Sequence, residues 1–117
     1  MPLTARYLFA ASMDVDPGHD KLFNEVYDRE HVPNLLKVPG VISVARFKTR
    51  EFRMSIGGEV KTIVVDAQPA YTALYELERP EVLVSPAWAT AVEAGRWPGE
   101  VRPYTKNRRP LLFERID

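Results

Sequence analysis

A chain of 117 residues has the length of one domain, and 45% hydrophobic with 27% charged residues is the composition of a globule with its own core rather than of a disordered segment. Sixteen basic residues balance sixteen acidic ones, so the basic excess of a nucleic-acid binder is missing. No cysteine is present, which excludes disulfides, thiolate metal sites, iron–sulfur clusters and a cysteine nucleophile. No stretch approaches the roughly 20 apolar residues needed to cross a bilayer, and Met1 to Arg6 lacks the basic region of a signal peptide. A cytoplasmic protein with neither membrane nor nucleic acid as partner is the expectation.

Residues 5–13 read as a strand in which Tyr7, Phe9, Ala11 and Met13 alternate with Arg6, Leu8, Ala10 and Ser12. Both sets are largely apolar, which predicts cover on both faces. Asp16 and Pro17 mark a helix start, and Leu22, Phe23, Val26, Tyr27 and Leu35 supply the apolar stripe of a helix over 17–37. Pro33 has no N–H and its ring collides with the Arg29 carbonyl, so a kink or break falls near Val32. Pro39-Gly40 ends the segment.

Residues 41–53 form a long β-branched and aromatic strand, Gly57-Gly58 is a hairpin tip, and 59–65 returns from it. Another strand covers 70–78, with Tyr71, Ala73, Tyr75 and Leu77 on one face. A short helical piece follows Pro80. Ser85-Pro86 then caps a helix that runs to Ala94 and stops at Gly95. Trp97-Pro98-Gly99 is a turn, and after an irregular basic segment residues 110–116 give the last strand.

Without the hairpin around 54–66 this order is the βαββαβ pattern of the α+β, ferredoxin-like fold, with an antiparallel sheet and both helices on one face. Two helices cover one side of the sheet, yet apolar residues lie on both: Leu8 against Phe9, Leu74 against Tyr75, Leu112 against Phe113. An uncovered apolar face is an association surface. A homodimer paired through the sheet faces covers both at once.

Residues 27–40, YDREHVPNLLKVPG, carry an aromatic-Asp-x-x-His, a proline, a leucine pair and a proline–glycine turn. In this the chain resembles the dimeric α+β barrel superfamily, in the neighbourhood of EthD-like proteins and small bacterial relatives of unknown function. The matching residues are Tyr27, Asp28, His31, Pro33, Leu35, Leu36, Pro39 and Gly40, and residues 85–109 resemble the C-terminal part of such proteins. The likeness spans nearly the whole chain apart from the 54–69 hairpin, which is longer than the common pattern. It implies the dimeric barrel fold and a cofactor-independent enzyme of monooxygenase, cyclase or isomerase type, acting on a small apolar or aromatic carbonyl compound. It equally admits a ligand-binding or stress-associated barrel without turnover, and a haem protein with His31 as axial ligand.

Phe23, Tyr27 and His31 recur at four-residue spacing, which puts Tyr27 and His31 on one helical stripe. An imidazole titrating near neutrality suits proton transfer, with the Tyr27 hydroxyl orienting it or binding a carbonyl. The competing reading makes His31 a prop for the broken turn. Asn34 is a ligand contact or a solvated turn residue. Arg46 faces a ligand carboxylate or an ion pair across the dimer, and Tyr75 and Trp88 are pocket walls or core. The basic residues of 96–109 are solvated or pair with the acidic first helix of either subunit; no glycine-rich loop opens a helix there, so a phosphate cradle is unsupported. His19 and His31, twelve apart without a carboxylate pattern, make no metal site.

Overall fold

The computed structural model describes residues 3–117. Six strands form: β1 (Tyr7–Val15), β2 (Val41–Lys48), β3 (Phe52–Ile56), β4 (Glu59–Ile63), β5 (Tyr71–Leu77) and β6 (Thr105–Glu114). Four of them make an antiparallel sheet in the order β2-β5-β1-β6, while β3 and β4 pair only with each other. The helices are α1 (Asp20–Val26), α2 (Val32–Leu36) and α3 (Pro86–Ala91).

Phe23, Val26 and Leu35 of α1 and α2 are buried against Met13, Ala73, Tyr75 and Leu77. The helix layer therefore covers the face that carries Tyr7, Phe9, Tyr71 and Tyr75, as the strand pattern predicts. The opposite face holds Leu8, Ala10, Ala45, Phe47, Leu74, Leu111 and Phe113, which stand beside one another in the strand register. It is open: Phe47, Leu111 and Phe113 are each about half exposed. Among the described residues of one chain the expected cover on both faces of the sheet is not present.

Several boundaries differ from the sequence reading. The strand expected over 41–53 divides, because Thr49 closes the ladder by donating from its N–H to the Ala70 carbonyl and from its hydroxyl to the Pro69 carbonyl. Pro69 has no N–H with which to extend the pairing. The hairpin that follows turns at Gly57 (φ +60°) and Gly58 (φ +82°), the tight connection that needs two residues at positive φ. The last strand starts at Thr105 instead of Pro110. Its polar first half is paired with β1 across a register shift between Ser12 and Asp14, with Asn107 at φ +51° on the bulged side.

The long first helix is not simply broken at Pro33. A 3₁₀ turn (Pro17–His19) leads into α1, and a widened π turn (Tyr27–His31) joins α1 to α2. The Val32 N–H reaches back five residues to the Tyr27 carbonyl. An extra residue in the turn absorbs the donor that Pro33 lacks, so the chain keeps its direction without a break. The Asp16 side chain does not cap this start; its backbone carbonyl accepts the His19 N–H. The Ser85 hydroxyl does cap α3, accepting the Trp88 N–H at 3.2 Å. That helix ends at Ala91, after which i→i−3 turns carry the chain to Gly95 at φ +68°. Trp97 opens a second π turn (Trp97–Val101) and is buried, so this segment is part of the core rather than a surface turn.

Candidate functional site

The π turn before Pro33 carries both leading residues of the sequence reading. Tyr27 and His31 sit at its two ends, 2% and 5% exposed. Turns of this kind recur at functional sites. Here the Tyr27 ring meets the His31 ring edge-on at 4.9 Å, and the face of His31 stacks on Trp97 at 4.2 Å. The Nδ1 atom of His31 is buried with no hydrogen-bond partner among the described residues.

Tyr27 reaches the sheet. Its hydroxyl lies 2.9 Å from that of Tyr75, at the middle of β5. Tyr75 in turn packs against Phe9 and Trp88. Two phenols in one hydrogen bond share two protons and use only one of them, so the accepting partner retains a proton for a third atom. From β2 the Arg46 guanidinium lies over the Tyr27 ring, 4.5 Å from its centre. It donates to Asp28 Oδ1 at 2.7 Å and to Asn24 Oδ1 at 2.9 Å. Arg46 thus closes one side of the phenol pair with an ion pair inside its own chain.

The electrostatics follow from burial. Desolvation pushes Tyr27 up from its ordinary value, against the smaller opposing pulls of the Tyr75 hydrogen bond and Arg46. Tyr75 is driven well above the usual phenol range by burial and by Tyr27. Both are neutral donors at pH 7. Desolvation, assisted by the Arg102 charge and opposed by Glu93, lowers His31 to about 4. At neutral pH it is an uncharged base whose buried nitrogen has nothing to bond.

The structure brings Tyr27, His31, Arg46 and Tyr75 into one aromatic cluster, with Trp88 at its edge. Asn34 lies apart, on a groove of about 390 Å³ between α2 and α3 shared with Lys37, Val38, Pro86, Ala87, Thr90 and Ala91. The sequence reading passes over Trp97 and Asn24 in this setting and names Asp28 only in the motif, not as the partner of Arg46. Only the size of a tryptophan beside a Pro-Gly pair hints that Trp97 is buried; nothing marks the partners of Arg46. His19, outside the cluster, stacks on Tyr104 at 3.6 Å. Of the basic segment, Arg96 pairs with Glu30 and Glu25, Lys106 with Asp16, and Arg102 with Glu93. Among the described residues no three His, Asp or Glu side chains gather where they could hold a metal ion, and no helix is long and apolar enough to cross a membrane.

These elements define a ferredoxin-like α+β protein that shares the fold of the dimeric α+β barrel superfamily, EthD-like proteins among them. No family model matches the sequence, and no curated protein matches it. Solved structures do. The chain is similar to the haem degrader MhuD of Mycobacterium tuberculosis with two haems bound, at 14% identity and a TM-score of 0.60, over 94% of this chain and 95% of that one. A variant of MhuD with two manganese protoporphyrins per active site gives 14% identity and a TM-score of 0.62, over 94% of each chain. An EthD family protein of Bacillus halodurans gives 12% identity and 0.58, over 94% and 99%. At such identities the likeness is one of fold.

Proposed function

We propose that this chain is a homodimeric, cofactor-independent barrel protein that carries out acid/base chemistry on a small apolar or aromatic carbonyl compound. The observation that carries the reading is the buried, partnerless Nδ1 of His31, whose ring meets that of Tyr27 at 4.9 Å, Tyr27 in turn sharing a hydrogen bond with the Tyr75 hydroxyl. A nitrogen of this kind weakens a core that needs it only for packing, since nearly all buried polar groups are bonded. It suits a base that accepts a proton from a carbon next to a carbonyl. The spare phenol proton suits the oxygen on which the enolate charge develops.

Tyr27 and Tyr75 hold the carbonyl oxygen in this reading, His31 takes and returns the proton, and Arg46 fixes the Tyr27 ring. Trp88 and Trp97 wall the apolar part of the substrate. Asn34, on the α2–α3 groove and apart from the cluster, takes no part in this reading. The cluster is closed, so entry requires the Trp97–Tyr104 segment to shift. The open sheet face supports the homodimer. The MhuD structures hold haem or manganese protoporphyrin; here the His31 ring is stacked on Trp97 and abutted by Tyr27, and the reading routes no step through haem.

The test is hydrogen–deuterium exchange at the α-carbon of aromatic ketones and 1,3-dicarbonyl compounds in D₂O, followed by NMR. Binding is read in parallel from tryptophan fluorescence, since the chain's two tryptophans both touch the cluster. Protein-dependent exchange that is lost in His31→Gln, with binding retained, is the expected result. Binding with no exchange in either protein leaves a ligand carrier and refutes the acid/base role. Equal exchange by both proteins removes His31 from the chemistry.

A further inference from the structure

We infer that the β3–β4 hairpin is an intersubunit arm that packs on the open sheet of a second copy of this chain. The inference rests on the homodimer reading above and adds to it the element that grips the partner. Every residue of the two strands except Ile63 is exposed. Phe52, Met54 and Ile56 lie on one side of the ribbon with Ile63, which stands opposite Phe52, while Lys61 and Glu59 stand opposite Met54 and Ile56 on the same side. A lone two-stranded hairpin is marginal in water, and four apolar side chains on one side of an exposed ribbon call for cover.

The size of the chain points to the same conclusion. Its accessible surface is 7669 Å²; a self-contained monomer of 13.3 kDa exposes about 6,450 Å². The excess is about 1,200 Å² per chain, or about 2,400 Å² for a pair, which lies in the range of obligate dimers. The radius of gyration is 15.8 Å, against about 13.4 Å for a compact chain of this length. The molecule is shaped as one part of a larger body.

A second copy is the occupant that satisfies both sides. Each chain carries an uncovered arm and, on the same molecule, an uncovered landing surface. That surface is the half-exposed Leu111 and Phe113 of β6, an edge strand that among the described residues pairs with β1 alone. Two-fold pairing covers both arms and both surfaces at once. A formal net charge of zero sets up no overall repulsion between copies.

The experiment compares the dimer dissociation constants of wild type, an arm variant (Met54→Asp with Ile56→Asp) and a sheet-face variant (Leu111→Asp) by analytical ultracentrifugation. The arm residues are exposed, so the fold of the four-stranded body, followed by circular dichroism, is unchanged. The expected result is a dimer at least about tenfold weaker in the arm variant, the loss of a few well-packed apolar contacts. A second readout uses the absence of native cysteines. A copy bearing Ile56→Cys mixed with one bearing Leu111→Cys forms a disulfide-linked pair that neither forms alone. An unchanged dissociation constant in the arm variant, with Leu111→Asp dissociating the dimer, overturns the arm and leaves the sheet-face dimer standing. A wild-type chain that is monomeric at tens of micromolar overturns both.

Discussion

The carboxylate of Glu30 occupies the space that a side chain at position 95 would need. A Cβ on Gly95 would stand 2.6 Å from Glu30 Oε1, and the backbone there is at φ +68°. Glu30 is held in that place by its neighbour in sequence to the glycine: it accepts the Arg96 N–H at 2.9 Å and Arg96 Nε at 2.6 Å. These bonds depress the Glu30 carboxyl below its usual value, the backbone bond most. The π turn that carries Tyr27 and His31 is thereby tied to the segment that carries Trp97.

Gly95→Ala therefore acts twice, through positive-φ strain and through displacement of Glu30 from Arg96. The combined loss is expected at about 2 kcal/mol, or a melting temperature lower by about 10 °C. In a Glu30→Ala background only the strain remains, and the same glycine change costs about half as much. Thermal unfolding of the four proteins in this cycle measures the coupling. Equal costs in both backgrounds would show that Glu30 yields freely and that the tie is slack.

The second prediction concerns pH. His31 is lowered to about 4 in the fold, against an ordinary value of about 6.5 in the unfolded chain. The unfolded state thus binds the proton first. The stability tied to neutral His31 is fully present above about pH 6.5 and is lost as pH falls toward 4. At pH 4.5 the loss amounts to about 2.5 kcal/mol. Urea unfolding of wild type and His31→Leu between pH 7.5 and 4.5 isolates this part, because carboxylates titrate in both proteins. Over that range wild type should lose about 2.5 kcal/mol more than His31→Leu. Parallel curves would mean that His31 is hydrated in the fold.

The architecture was legible because alternation and breakers are local: Tyr71, Ala73, Tyr75 and Leu77 face the core as their spacing requires, and the Ser85-Pro86 start caps its helix. The β6 boundary was not, since pairing with β1 outweighs the polar run Lys106 to Arg109. For the site, four-residue spacing was enough to put Tyr27 and His31 together, whereas the partners of the cluster come from distant segments. The 2.9 Å bond between Tyr27 and Tyr75 spans 48 positions, and the Asp28–Arg46 pair depends on strand register as well as on a π turn that no pattern announces.

The final prediction addresses the phenol pair directly. Tyr27→Phe alone removes one hydroxyl from a dry site and leaves the Tyr75 oxygen with no partner there; Tyr75→Phe does the converse. Each single change should cost about 1–3 kcal/mol, the penalty of an unsatisfied buried polar group. The double change removes both groups together and leaves two rings of almost the same shape, so its cost should fall below the sum of the two single costs by about 1 kcal/mol or more. Chemical denaturation of the three variants gives the coupling. A pair kept for its chemistry has a second signature: Tyr27→Phe with Tyr75→Phe should stay folded yet lose the α-carbon exchange, because no donor remains for the enolate oxygen. Additive single costs would show that water reaches the pair, and full exchange in the double variant would remove the phenols from the chemistry.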